Sequence, residues 1–475
     1  MDDTGLRESR VTCETSQGLP LQGTIIQLGQ LEVVFEVYSP GAVIQVSEVL
    51  RNFKVQLGDR VAYSGRAVVK NVVHTGMKLV CAVALDEAWT LQFSNADLGP
   101  GRLRALFKEH LHQWHKLYLI RPEYKLQIAD MEIFFAELRV WLDRVELGLR
   151  ATAPKKGGEF LNDVAEEIGA SVLPAVDSLF DKFEHIAKAV EPAASPVHRA
   201  YMQRRLHPLL LGAPFPHRTF TKPLGYAGDY EMVNMIARNR PEGTSLYAKI
   251  VNLCFLRQSP AAAHRNRLTH LTQRLVEETL RAAGPGRPAR IFSVACGPAL
   301  ELQDFLREHE ISNRADITLL DFNEETLQHI TAAFTQLKAK LSRRTPVHFV
   351  QRSVHELLKE SVRSGVRPGT QQYDFVYCAG LFDYLTDAVC QRLITLFYGW
   401  VSPGGLLLVT NVDDTLNDLR SFRHSMDFIL DWQLMYRRNS QFSALVPNAI
   451  KAECSVKSDE TGVNLFLELR KPNYG

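Results

Sequence analysis

The feature that most constrains this chain is an ordered alternation of short apolar runs and helical periodicities. It starts after Gly284-Pro-Gly-Arg-Pro288 and runs to the end. Strands that alternate with helices predict a mainly parallel, doubly wound α/β sheet over 286–475. Arg290-Ile-Phe-Ser-Val-Ala295 reads as a buried strand entering Cys296-Gly297-Pro298-Ala299, then the helical Leu300-Glu-Leu-Gln-Asp-Phe-Leu306. Small residues between a strand and a helix let a ligand approach the backbone at the helix N-terminus. Asp316-Ile-Thr-Leu-Leu320 is the second strand and closes on Asp321 and Phe322. Asp321 lies about 20 residues beyond the turn, where an acid bonds ribose hydroxyls. A third strand, Val347-His-Phe-Val350, ends at Arg352-Ser353-Val354, where adenine would be read. Tyr373-Asp-Phe-Val-Tyr-Cys378 runs into Ala379, and Gly405-Leu-Leu-Leu-Val-Thr410 follows the turn Ser402-Pro-Gly-Gly405. Val463 to Leu469 alternates its faces and is expected as an antiparallel closing strand. The candidate cofactor contacts are therefore Ala295, Gly297, Asp321, Phe322, Ser353, Val354 and Ala379. A dinucleotide oxidoreductase would need Gly-x-Gly-x-x-Gly, which Cys296-Gly-Pro-Ala-Leu-Glu301 does not supply.

Three segments precede this one. Residues 1–98 are rich in β-branched and aromatic runs, such as Leu31-Glu-Val-Val-Phe-Glu-Val-Tyr38 and Lys78-Leu-Val-Cys-Ala-Val-Ala-Leu85. Turns at Gly58-Asp59 and His74-Thr-Gly76 separate them, as in a small barrel. Residues 99–200 turn helical: Leu103, Leu106, Phe107 and Leu111 recur at helical spacing, as do Met131, Phe134, Leu138, Trp141, Val145 and Leu149. Ala153-Pro-Lys-Lys-Gly-Gly158 and Pro192-Ala-Ala-Ser-Pro196 break the pattern. Residues 201–285 read as a helical cap that opens on a proline-punctuated loop (Pro208, Pro214, Pro216, Pro223).

The composition excludes several classes. Lys and Arg number 55 against 53 Asp and Glu, a net charge of +2, and no basic stripe marks a nucleic-acid partner. No run approaches the ~20 apolar residues of a membrane span, and the polar start lacks a signal-peptide core. Seven cysteines without a Cys-x-x-Cys pair read as reduced thiols of a cytoplasmic protein. His110, His112 and His115 do not share one helix face, so no metal site is expected. Nothing specifies an oligomeric state.

Some residues carry two readings. Lys222-Pro-Leu-Gly-Tyr-Ala-Gly-Asp-Tyr-Glu231 is a bendable loop bearing Tyr226 and Asp229. It is either a lid in which Asp229 receives a cationic ligand group, or a helix start with Asp229 as N-cap. Arg267 is either part of a solvated basic face or the bidentate partner of a carboxylate substrate. Met426 to Tyr436 packs a core or walls a fatty chain. Tyr226, Asp229 and Arg267 are the catalytic candidates.

The glycine turn, the Asp321 position, the Asp-led fourth strand and Pro-Gly-Gly before the fifth together resemble class I methyltransferases. That resemblance implies S-adenosylmethionine as cofactor. Ser293, Ala295 and Ala299 stand where that class carries an acid and two glycines, and the missing acid leaves the methionine ammonium without its usual partner. Lys222-Pro-Leu-Gly-Tyr-Ala-Gly-Asp-Tyr-Glu-Met232, Leu319-Leu-Asp-Phe-Asn-Glu-Glu-Thr-Leu327, Tyr373 to Leu385, Asp431-Trp-Gln-Leu-Met-Tyr436 and Thr461 to Pro472 resemble the bacterial extracellular-factor methyl ester synthases. The resemblance covers roughly residues 200–475 and implies methylation of a 3-hydroxy fatty acid carboxylate to a quorum-sensing ester. Carboxylate needs no general base, so Arg267 or Tyr226 would orient it and the 225–231 loop would close the site. Two rivals remain: another small-molecule acceptor, or a non-enzymatic S-adenosylmethionine-binding regulator. The first segment resembles a PilZ barrel. Arg7 and Arg10 are three apart rather than the four that cyclic di-GMP binding requires, so a degenerate barrel is expected, without that ligand.

Overall fold

The computed structural model describes residues 9–473 except 39–42, 59, 75–77, 88–100, 102–103, 105–106, 109–110, 112–118, 153–157, 364–371 and 415–421. Arg7, His110, His112, His115, Leu103 and Leu106 therefore lie outside the described residues. The architecture is multidomain: a closed barrel, packed helices, and a twisted α/β sheet.

The barrel has strands β1 (Ser9–Glu14), β2 (Pro20–Leu28), β3 (Glu32–Val37), β4 (Val49–Leu57), β5 (Arg60–His74) and β6 (Leu79–Leu85) in the order β1-β2-β3-β6-β5-β4. Strict alternation in β3 and β6 turns Val33, Phe35, Cys81 and Val83 inward, each fully buried. Periodicity missed β1 and β4, because each mixes polar residues into its inward row or breaks register at a bulge.

The helices Pro122–Thr152 and Gly158–Lys188 bury Tyr124, Phe135, Phe180 and Phe183. That core continues without a break into the cap helix Leu246–Leu256 and the helix Arg423–Leu430, through Phe255, Phe422 and Phe428. The expected proline loop is corrected. Pro208 lies inside the helix Ser195–Leu210, and Pro214 opens the helix Pro214–Thr221. A proline at the first helical position gives up no intrahelical bond, so local punctuation there marks a start and not a loop.

The large sheet contains β7 (Ala289–Val294), β8 (Ala315–Asp321), β9 (Val347–Gln351), β10 (Tyr373–Cys378), β11 (Val401–Val412), β12 (Glu453–Ser458) and β13 (Asn464–Arg470) in the order β12-β13-β11-β10-β7-β8-β9. Strands β7 to β11 are parallel, and β13 is antiparallel to β11. The predicted 402–405 turn is absorbed into β11 as a bulge: Tyr373 faces Val401, whereas Phe375 faces Leu406. Edge strand β12 is polar and largely exposed, so no apolar run announced it. Strand order reverses between β7 and β10, which places the crevice at their carboxyl ends.

The barrel is seated beside that crevice. The Val46 N–H donates to the Tyr384 carbonyl at 3.2 Å, and the Val49 N–H to the Gly225 carbonyl at 2.8 Å. Ser47 Oγ donates to the Gln433 carbonyl at 2.8 Å. Lys70 reaches Asp431 at 3.0 Å and Asp427 at 3.3 Å.

Candidate functional site

Strand β7 ends in a turn whose backbone is left-handed three times: Ala295 at φ +53°, Gly297 at φ +53° and Ala299 at φ +48°. Glycine tolerates this, whereas each alanine carries roughly 1–3 kcal/mol of strain, a cost that persists where surrounding structure over-determines the backbone. A Cβ added at Gly297 would meet nothing within 4 Å, so its face is open. The Gly297 N–H donates to Asp321 Oδ2 at 3.0 Å, and the Asn323 N–H donates to Oδ1 at 3.0 Å. The turn at the end of β7 and the acid at the end of β8 are thus locked together. Burial pushes the Asp321 carboxyl up, and the backbone N–H donors oppose that shift.

A cavity of about 190 Å³ opens here, well above the ~10–15 Å³ that one water requires. It is lined by Ala295, Gly297, Asp321, Phe322, Val354 and Ala379, all among the residues expected from sequence to contact a cofactor. Ser353 differs. Its hydroxyl accepts from the Glu356 N–H at 3.2 Å, and its own N–H donates to Glu356 Oε2 at 2.8 Å, a capping arrangement at the helix Val354–Arg363. Arg352 rather than Ser353 forms the cavity wall there.

The 222–231 loop lies over this crevice. Tyr226 packs half-buried against Phe322, with ring centroids 5.2 Å apart, and lines the cavity. Burial raises its hydroxyl pKa well above the ordinary tyrosine range. Asp229 is the N-cap of the helix Tyr230–Arg238: it accepts from the Met232 N–H at 2.9 Å and pairs with Arg218 at 2.9 Å. It does not line the cavity. Of its two readings, the cap is the one the geometry carries.

Arg267, on the helix Ser259–Ala282, is half-buried and lines the cavity rather than forming part of an open basic face. Its guanidinium contacts His264 Nε2, and no carboxylate lies within 4 Å of it among the described residues. Desolvation lowers both Arg267 and His264 from their ordinary values. Gly380, at φ +89°, provides the room: a Cβ there would lie 3.1 Å from each terminal guanidinium nitrogen.

Much of the cavity lining is apolar. Phe215, Ile236 and Phe255 of the cap line the same cavity as Met426, Leu430 and Trp432. The Met426–Tyr436 stretch serves both of its readings: Phe428 and Ile429 pack the helical core, whereas Met426, Leu430, Trp432, Leu434 and Tyr436 line the cavity. Trp432 Nε1 donates to the Tyr384 hydroxyl at 2.9 Å, which holds the indole in place.

Sequence reasoning missed Glu301, Tyr377, Asp383 and the barrel's Gln17 and Gln45, all of which line the cavity. Glu301 had a signal, since it lies one helical turn after Gly297. The two glutamines had none, because they arrive only when the barrel docks. Among the described residues, no group of three His, Cys, Asp or Glu side chains is arranged to hold a metal ion. No described helix is long and apolar enough to cross a membrane.

No family model matches the chain, and no curated protein matches it. Solved structures with similar folds include a possible exported protein from Bordetella parapertussis, at 16% identity, 64% of this chain, 97% of that one and a TM-score of 0.38. A putative O-methyltransferase from Nostoc punctiforme is similar at 14% identity over 45% of this chain and 59% of its own, with a TM-score of 0.32. Magnesium protoporphyrin IX methyltransferase from Synechocystis, with bound SAM, is similar at 10% identity, 45% and 82% coverage, and a TM-score of 0.30. Likenesses of this size bear on neither substrate nor site residues.

Proposed function

We propose that this chain is an S-adenosylmethionine-dependent methyltransferase that esterifies the carboxylate of a 3-hydroxy fatty acid, yielding a quorum-sensing methyl ester. The observation that carries the reading is a single cavity with two chemistries. A strained glycine turn, an acid and apolar side chains line it together, and a half-buried arginine without a carboxylate within 4 Å among the described residues lines the same space.

The residues present fit such a cofactor. Asp321 has buried carboxylate oxygens at the strand end where ribose hydroxyls bind, and Gly297 leaves open space above the turn. Val354 and Phe322 offer apolar surface for a base. The cofactor supplies a methyl group on a sulfonium, and the chain supplies the alignment. Arg267, with His264 beside it, holds the acceptor carboxylate through its fork of N–H donors. With S-adenosylmethionine bound, the carboxylate oxygen held by Arg267 would take the methyl group as the carbon–sulfur bond broke with its electron pair left on sulfur. Negative oxygen and positive sulfur are both neutralised, so no proton moves and no base is needed. Fatty acids ionise near ~4–5, so the nucleophile is already charged at neutral pH. Catalysis rests on orientation and exclusion of water, which the placement of Arg267 inside the cavity and the Tyr226 loop over it support.

The test is incubation with methyl-labelled S-adenosylmethionine and a panel of free 3-hydroxy fatty acids, followed by organic extraction. Labelled ester is expected. Cofactor binding without label in any ester refutes the fatty-acid reading. Phenol and amine acceptors then separate another methyltransferase from a regulator.

A further inference from the structure

A second buried anion in the cavity is explained neither by the ribose nor by the acceptor. Glu301 occupies the first turn of the helix Leu300–Glu308, directly after the glycine turn, and is 5% exposed. Its Oε1 accepts from the Tyr377 hydroxyl at 2.7 Å. Among the described residues no cationic side chain lies within 4 Å of it. A carboxylate kept out of water without a cation costs several kcal/mol, and such groups persist where a ligand completes them. Arg267 acts on it only at longer range.

The position of Glu301 is tied to the oddity of the turn. Ser293 on β7 stands in register with Tyr377 on β10 and is almost fully buried. The Tyr377 hydroxyl also interacts with the Ser293 side chain. One hydroxyl therefore links the strand position that lacks an acid to a helix position that carries one. We infer that Glu301 replaces the acid missing at position 293 and binds the ammonium of the cofactor's methionine end, with Tyr377 as a positioning residue. This assignment rests on the methyltransferase reading above. The rival role for Glu301 is structural, an anchor for Tyr377.

Two ligands separate these roles. S-adenosylhomocysteine carries the ammonium, and 5′-methylthioadenosine keeps the adenosine thioether without the amino-acid end. Glu301→Gln retains an oxygen that can accept from Tyr377 while removing the charge. Calorimetry should show S-adenosylhomocysteine weakened about 10- to 100-fold, as expected for a lost charge-assisted hydrogen bond, with methylthioadenosine bound as before. Equal losses for both ligands would show a structural role, and no loss for either would show no role; each overturns the assignment while the methyltransferase reading stands. Wild-type protein that binds neither ligand overturns both. Should Glu301→Gln fail to fold, Tyr377→Phe serves instead. It leaves the carboxylate in place but unheld, and a selective loss confined to S-adenosylhomocysteine is expected. An unselective effect overturns the assignment.

Discussion

Lys222 opens the loop that covers the site, and its titration offers a quantitative test of how the domains pack. It is 3% exposed, and its Nζ donates to the Leu430 carbonyl at 3.1 Å. Desolvation is the leading cause of a pKa lowered from 10.5 to about 7; Asp431 and Asp86 oppose that shift, while Arg66 and Lys70 add to it. Between those two values the unfolded chain keeps the proton that the folded chain gives up. The unfolded state then binds more protons, so stability must rise with pH across this window. Below about pH 7 both states are charged and the full burial cost is present. Above 10.5 both are neutral and the cost is gone. With 1.36 kcal/mol per pH unit, the full window amounts to roughly 5 kcal/mol, of which about 2 kcal/mol falls between pH 7 and 9. Urea unfolding followed by tryptophan fluorescence at pH 7 and 9, on wild type and Lys222→Met, isolates the group because the remaining titrations are common to both. The wild type should gain about 2 kcal/mol more than the variant over that interval. Equal gains would mean that Lys222 keeps its proton in the folded protein. The reasoning about its burial would then be wrong.

Gly380→Ala places a methyl 3.1 Å from both terminal nitrogens of Arg267 at a φ of +89°. It should cost about 1–2 kcal/mol of stability and raise the KM for the acid more than that for the cofactor; unchanged KM values would remove Arg267 from the acceptor site. Asp321→Ala strips the shared acceptor from the Gly297 and Asn323 N–H groups. Cofactor affinity by calorimetry should fall about 100-fold or more, and an unchanged affinity would refute the assignment.

Much of the sheet was legible because local chemistry specifies it. The runs ending at Val294, Asp321 and Cys378 are short, apolar and bounded by turn residues, so strand identity, order and the position of Asp321 followed directly. Ala295, Gly297, Phe322, Val354 and Ala379 line the cavity because strand ends in this sheet open onto it, as the strand pattern implied. Strands β12 and β1 carry too many polar residues to announce themselves, and bulges in β4 break the two-residue period that would have marked it. Ser353 followed the strand pattern, yet a glutamate three residues on claims its hydroxyl.

The sequence by itself therefore determined the elements, their alternation and the acid at the end of the second strand, since these depend on hydrophobic period and turn chemistry within a few residues. Only the tertiary structure decided what each polar group faces. Packing turned Arg267 into the cavity, gave Asp229 to Arg218, brought Glu301 to Tyr377, and seated the barrel loop against Tyr384 and Gln433. Those pairings join residues up to 386 positions apart. Burial and charge at such sites are properties of the assembled neighbourhood, which no periodicity along the chain encodes.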